Sequence, residues 1–403
     1  MTTTAVPGEP AAGARLPDRA RRWVLTALVL GLAGSITLAE LALGALLVLV
    51  LSSGRLRRPP LLAPIAAFAA WTAVSALASP RPLESLVEAR GVLWLVAIGV
   101  LVAALDDARD AHRFATGLFI AVSAVALVAI VQVAACPPAP PDLPVLARFL
   151  RKCGRARGFF SIYMTLAGVL MLVLVGAVPR LAAAGRHLAW AGPAWAAGLV
   201  ALGLTYVRGA WVGFAVGAAG SVAFLRRDRL VLAVVVSVIV VAIAVPGVSH
   251  RIGRTTLDNE TTRDRLAMLS GGLRMVRDHP LVGVGPGQVK HAYPTYAPPE
   301  ALRRATSHLH NTPLQIAAER GVIGLGLWLW IFAAWFGRAA RVWRALPGPA
   351  DRALAMGALL AIAAFITAGL FEYNFGDTEV LLVACAAMAL PFVLARSLGV
   401  PAS

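Results

Sequence analysis

Long apolar runs separated by short polar turns fill this chain from residue 23 to its C-terminal end. Runs long enough to span a bilayer, or to span it as tightly turned pairs, fall at 23 to 36, 38 to 53, 61 to 78, 91 to 105, 112 to 134, 159 to 178, 187 to 204, 210 to 225, 229 to 247, 312 to 336, 353 to 370 and 378 to 396. They predict an all-α polytopic membrane protein with about twelve transmembrane helices. Residues 1 to 22 are a polar Pro/Gly/Arg segment, expected to be a disordered tail without a cleavable signal. The expected organisation is that tail, a bundle of about nine helices over 23 to 247, a long extramembrane segment from 248 to 311, and further transmembrane helices from 312 to 403.

The long segment has a pattern of its own. Thr262 and Asp264 can start a helix over 262 to 278, on which Leu266, Leu269, Leu273 and Val276 form one apolar stripe while Arg263, Arg274 and Arg277 lie elsewhere. That is the pattern of an interfacial helix. Pro280 and the GVGPG run at 283 to 287 end it. The glycines lack the Lys-Ser/Thr of a nucleotide phosphate loop, so they predict a turn rather than a phosphate cradle. The sequence carries no internal repeat and no soluble domain.

Composition agrees: 59% of residues are hydrophobic, 14% are charged, and the mean hydropathy is +0.76. The net charge of +17 is nearly all arginine spread over many short loops, which argues against nucleic acid and for anionic lipid and phosphate as partners. Arginines crowd the tail (Arg15, Arg19, Arg21, Arg22) and the loops with Arg55, Arg57 and Arg58, with Arg226, Arg227 and Arg229, and with Arg338, Arg341 and Arg344. If the first two runs form a hairpin, all four groups share one side, and the positive-inside rule makes that side cytoplasmic along with both termini. If those runs are one helix, everything downstream inverts.

With the hairpin, the opposite face receives the loop at 79 to 90, the Cys136 to Arg157 loop, the turn TYVRG at 205 to 209, the 248 to 311 segment and the turn FEYNFGDTE at 371 to 379. Cys136 and Cys153 pair if their loop faces an oxidising compartment; two free thiols are the other reading.

Candidate chemistry gathers on that face. His310 and Asn311, nine residues, then Gly321 and Gly324 form an HN-x9-GxxG pattern where the basic loop re-enters an apolar helix. An imidazole there can exchange a proton near neutral pH; the plainer reading is a polar residue closing a loop or capping a helix. Arg208 interrupts two apolar runs, either as a fork for phosphate oxygens or as an arginine reaching the head groups. Arg265 can supply a second guanidinium, with Arg263 as its competitor and a solvated helix face as the alternative for both. Positive charge around His310 would keep its ring neutral, as a base requires. His308 is the rival base, although helical spacing would turn the two rings in different directions. His279, His291, His308 and His310 match no zinc spacing, and Asp278, Glu300, Glu372, Asp377 and Glu379 form no paired-carboxylate motif, so no metal is expected. Nor is there a nucleotide-binding motif.

The HN-x9-GxxG pattern resembles the signature of bacterial O-antigen ligases. RARGFFSIYMTLAGVL, LTYVRGAWVGF, DRLAMLSGGLRMVRDHPLVGVGPG and FEYNFGDTEV are similar to that family in the same order, from about residue 90 onward. The resemblance implies a GT-C-like membrane glycosyltransferase of the inner membrane with a long periplasmic catalytic loop. It implies metal-independent, inverting transfer of a glycan from undecaprenyl pyrophosphate to a lipid A-core acceptor, with no cofactor. It places the catalytic histidine at His310 and the pyrophosphate-binding arginines at Arg208 and Arg265, with Arg263, His308, Asn311 and Glu372 as supporting candidates. The same superfamily holds O-antigen polymerases and protein O-oligosaccharyltransferases, which remain alternatives. A lipid-linked oligosaccharide flippase is a further alternative from another class.

Overall fold

The computed structural model describes residues 18–55, 59–137, 150, 153–184, 190–225 and 260–401. Arg15, Arg57, Arg58, Arg226, Arg227, Arg229, Arg251, Arg254, the expected span at 229 to 247 and most of the loop between Cys136 and Cys153 lie outside the described residues.

Every regular element among the described residues is helical. In chain order they are α1 Asp18–Gly34, α2 Ile36–Ser52, α3 Leu62–Leu77, α4 Pro82–Ala89, α5 Val96–Ala104, α6 Ala108–Ala134, α7 Tyr163–Ala184, α8 Ala191–Leu204, α9 Arg208–Leu225, α10 Glu260–Asp278, α11 Val289–Tyr296, α12 Thr312–Ala345, α13 Pro349–Gly369 and α14 Thr378–Leu398, with short 3₁₀ turns at Arg90–Leu95 and Asn374–Gly376. Six are long and apolar enough to cross a membrane: Pro82–Ala104 taken as one, Ala108–Ala134, Tyr163–Ala183, Thr312–Ala345, Pro349–Gly369 and Thr378–Leu398. Ile36–Ser52, Leu62–Leu77 and Ala191–Leu204 are shorter apolar helices. The chain is a polytopic helical membrane protein, because only a helix satisfies its own backbone groups in hydrocarbon.

The first two runs form a hairpin. Ser35 caps α2 by accepting from Leu38 N, and the chain reverses there. Arg21 near the start of α1 and Arg55 after α2 both pair with Asp106, at 2.8 and 2.5 Å, which fixes both hairpin ends on one side of the bundle. Arg21 also contacts Asp110 at 2.5 Å. These carboxylates draw the backbone into a helix from Asp18, so the disordered tail expected over 1 to 22 does not extend to residues 18 to 22. The expected loop at 79 to 90 is also corrected: Pro82 sits at the first helical position, where its missing N–H is harmless, and α4 runs through the 3₁₀ turn into α5.

The remaining helices shuttle between two ends. α6 leaves the Arg21 end at Asp107 and reaches Cys136; α7 returns from Tyr163; α12 starts beside His310 and runs to Arg344; α13 carries the chain back from Asp351 to Glu372; α14 returns to Arg396, which donates to the carbonyls of Val102, Leu105 and Asp106. α13 packs on α7, α9 and α14 in the middle of the bundle. Cys136 and Cys153 are joined by a disulfide, their Cα atoms 5.4 Å apart, at the end opposite Arg21.

α10 lies where the sequence predicts a helix, starting at Glu260. It buries Ala267, Met268 and Met275, while Leu266, Leu269 and Leu273 face outward and Val276 is half-buried. Its buried methionines join Val284, Val289, Tyr293, Leu309, Leu314 and Ala318 in a small core of its own. That core seats the 260 to 311 segment on the first turns of α12.

Candidate active site

α12 is two helices in one. Gly321, at φ 67 and ψ −178, breaks it between Arg320 and Val322. The GVGPG turn fills the break: Val284 N donates to Ala318 O and Gly285 N to Glu319 O, both at 2.9 Å, and Val322 N donates to Pro280 O at 2.8 Å. The carbonyls and N–H groups freed by the break are thus satisfied by the turn. Only glycine adopts that φ cheaply, and a Cβ on Gly321 would overlap the Leu281 carbonyl oxygen. Gly283, at φ 70, meets the same break from the other side.

Beneath it, Glu319 and Arg320 are buried to 2% and 4% exposure and pair with each other at 2.6 Å. Gln315 Nε2 and Gly287 N both donate to Glu319 Oε1, at 2.7 and 2.9 Å. Gly321 and the glycines of the GVGPG turn are therefore a docking joint. They hold the first turns of α12, and with them His310, in a fixed place.

The start of α12 reaches for the turn after α13. Asn311 caps the helix by accepting from Leu314 N at 2.9 Å, and its Nδ2 donates to Leu370 O at 2.9 Å. Thr312 Oγ1 donates to Glu372 O at 2.8 Å. His310 itself takes a positive φ of 50, a conformation that a non-glycine residue holds only under surrounding constraint. Its Nδ1 lies 2.9 Å from Glu372 Oε2. The other carboxylate oxygen, Oε1, accepts from Arg265 Nη2 at 2.6 Å, while Arg265 Nη1 donates to Phe371 O at 2.7 Å. Glu372 is thus the bridge between the imidazole and the guanidinium.

Burial alone would raise the Glu372 carboxyl, but the hydrogen bond from His310 and the charge of Arg265 outweigh it and hold it below the ordinary range. A carboxylate only accepts, so Nδ1 of His310 donates in that bond, and in the neutral imidazole this tautomer leaves Nε2 as the acceptor. The expectation of an imidazole surrounded by positive charge is corrected here: its nearest charge is negative, because the 371 to 379 turn folds back over the helix start.

A cleft of about 590 Å³ opens over these groups. Arg208 and Arg265 line it with His308, His310 and Glu372, and Arg208 lies within electrostatic reach of both Arg265 and Glu372. Arg263 is exposed and does not line the cleft, since it stands two residues from Arg265 on a different face of α10. His308 and His310 both reach the cleft, their ring centroids 4.2 Å apart edge to face. Helical spacing does not separate them, because residues 301 to 311 are not helical. Burial, then the neighbouring His310, drives the His308 imidazole down to about 4, and its buried Nδ1 has no hydrogen-bond partner. His308 also lines a smaller cavity of about 260 Å³ with Thr165, Asn374 and Asp377.

Arg155, Tyr163, Tyr206 and Asp264, none of them a candidate site residue from the sequence, also line the cleft. Tyr206, at φ 55, is a second strained residue at its wall. Asp264 was legible as a helix starter, whereas Arg155 is one of several arginines in a basic loop. Among the described residues no three His, Cys, Asp or Glu side chains converge as metal ligands do. The arrangement offers a proton acceptor, an oriented carboxylate and guanidinium groups for an anion.

Comparison with known proteins bears on the same stretch. No curated protein matches the chain. Residues 193–329 match the family model described as O-antigen ligase. The match runs from α8 through Arg208, Arg265 and His310 to the glycine joint of α12, so the segment that builds most of the cleft also carries the likeness, and it supports assigning this chain to the O-antigen ligase family.

Proposed function

We propose that this protein is an O-antigen ligase: a metal-independent, inverting glycosyltransferase that moves a glycan from undecaprenyl pyrophosphate to a lipid A-core acceptor. The supporting observation is the His310, Glu372 and Arg265 chain in a cleft shared with Arg208. His310 Nε2 takes the proton of an acceptor hydroxyl. The acceptor oxygen forms its bond to the anomeric carbon as the bond from that carbon to the pyrophosphate oxygen breaks on the opposite face. The electron pair leaves with the lipid pyrophosphate, and Arg208 and Arg265 stabilise the growing charge, an effect worth roughly 3 kcal/mol per well-placed donor. Glu372 keeps the His310 proton on Nδ1 and steadies the imidazolium that forms.

In this reading the bundle is GT-C-like with about twelve spans, in the inner membrane, with residues 248 to 311 as the periplasmic catalytic loop between helices of 23 to 247 and of 312 to 403. Two independent features support a periplasmic cleft. The arginines next to the short connections, such as Arg21, Arg55 and Arg344, stand at the end away from it, and the positive-inside rule counts such short loops rather than the long basic 248 to 311 segment. The Cys136–Cys153 disulfide, which belongs in an oxidising compartment, stands two residues from Arg155 at the cleft wall. The outward stripe of α10, Leu266, Leu269 and Leu273, then lies against the membrane surface where two lipid-borne substrates meet.

The test is reconstitution of the purified chain with a defined polyprenyl-pyrophosphate glycan and a set of acceptors. Glycan on lipid A-core is the expected product. Extension of the lipid-linked chain itself would make the protein a polymerase, and glycan on a protein acceptor an oligosaccharyltransferase; the absence of any transfer would remove the enzymatic reading.

A further inference from the structure

Four guanidinium groups line the cleft, and both Arg265 and Arg303 meet carboxylates. Arg265 spends both terminal nitrogens on Glu372 Oε1 and Phe371 O, at 2.6 and 2.7 Å. Arg303 Nε lies 3.1 Å from Asp264 Oδ2. Arg155 differs. Its guanidinium lies over the Tyr163 ring, 4.3 Å from the centroid, and among the described residues it pairs with no carboxylate. An arginine resting on an aromatic face keeps the donors at its rim for an anion, and the ring supports the charge without neutralising it.

The backbone around Arg155 is fastened on both sides. Cys153, two residues before it, is tied by its disulfide to Cys136 beyond the end of α6. Ala156 N donates to Leu204 O at 3.0 Å, at the end of α8 just before Tyr206 and Arg208. Gly158 N donates to Gln132 Oε1 at 3.1 Å. These ties give a long, mobile side chain a fixed root at the cleft wall, which lowers the ordering entropy that ligand binding must overcome.

We propose that Arg155 is a phosphate-gripping residue of this cleft, acting with Arg208 on the pyrophosphate of the lipid-linked donor, while Arg265 chiefly holds Glu372 and through it His310. This inference rests on the transferase reading above. A pyrophosphate presents two adjacent anionic groups, and two guanidinium forks on different elements, the disulfide-tied loop and the start of α9, suit it better than one fork already committed to a carboxylate.

The test measures binding of undecaprenyl pyrophosphate and undecaprenyl monophosphate to the purified full chain in detergent, beside the donor KM and kcat in the transfer assay. Arg155→Ala should weaken pyrophosphate binding about tenfold, change monophosphate binding by less than about threefold, and raise donor KM with little loss of kcat. Arg155→Lys, which keeps the charge and loses the fork, should fall between the two. Unchanged pyrophosphate affinity and KM in a folded Arg155→Ala chain would overturn the assignment while leaving the transferase reading intact. If Arg155→Ala does not fold, wild-type affinity in Arg155→Lys overturns the fork. If the wild-type chain itself binds no pyrophosphate, the transferase reading fails with it.

Discussion

The two ends of the helical bundle use the same kinds of residue to opposite effect. At the Arg21 end several basic side chains are fastened to neighbouring helices: Arg21 to Asp106 and Asp110, Arg55 to Asp106, Arg396 to backbone carbonyls, and His112 to Asp351 at 2.9 Å. A cavity toward that end, beside Arg180, holds about 60 Å³ and is otherwise lined by apolar side chains, glycines and alanines. At the His310 end arginines, imidazoles and carboxylates ring an open cleft of about 590 Å³. Tyr206 and His310 hold positive φ at its wall, as Leu61 does near the other end, and the His308 Nδ1 is buried beside it without a partner. Charge density alone therefore does not separate a structural end from a chemical one. Openness, and the convergence of titratable groups on one cleft, do.

Substitutions at each end test that contrast. The largest effect is expected at the joint beneath the cleft. Gly321→Ala puts a methyl group into the Leu281 carbonyl at a φ that alanine avoids, and should destabilise the fold by at least about 4 kcal/mol. Gly326→Ala, whose added carbon meets nothing within 4 Å, is the control. Thermal unfolding in detergent checks both; equal stability of the two variants would show that the break does not anchor the motif.

At the opposite end, Arg21→Ala strands the Asp110 carboxylate and leaves Asp106 to Arg55 alone, and should lower stability by about 3 kcal/mol, with turnover per folded molecule unchanged. A loss of turnover in the folded fraction would erase the distinction between the ends.

Glu372→Gln keeps the size of the bridge and removes its charge. Turnover should fall about 10- to 100-fold, as for other groups that orient a reactive histidine. The folded carboxyl sits below its ordinary value of 4.5, so its contribution to stability is present above that pH and fades as pH falls through the folded value. The stability gap between wild type and variant should therefore be flat near neutrality and narrow on acidification below 4.5. A gap that widens in acid would contradict the bridge.

The smallest effect is expected at Arg263→Ala, an exposed site outside the cleft: stability within about 0.5 kcal/mol and transfer within about twofold of wild type. A large loss of transfer there would reverse the choice between Arg263 and Arg265.

The legible part of this protein is what one-dimensional periodicity encodes. Apolar runs give helices, and the arginine groups give a consistent side once Ser35 turns the first two runs into a hairpin. α4 escaped because PLESLVEA reads as a polar loop until Pro82 is seen starting a helix that continues into α5. His310, Arg208 and Arg265 stand out as polar residues at the edges of apolar or amphipathic segments. Their mutual arrangement does not, because Glu372 comes 62 residues after His310 and only the fold brings the two within 2.9 Å. The two-residue spacing of His308 and His310 misleads if a helix is assumed, and both rings enter the cleft from irregular chain. Cys136 and Cys153 were readable as a pair or as two thiols, since spacing alone does not give the 5.4 Å approach of their Cα atoms.

The proposed transfer depends most on His310 taking the acceptor proton. The direct measurement is single-turnover transfer from a polyprenyl-pyrophosphate glycan by His310→Ala in liposomes, with donor binding measured on the same preparation. Donor binding near wild type with transfer reduced about 10²- to 10⁴-fold is the predicted result. Transfer close to the wild-type rate from that folded variant would contradict it.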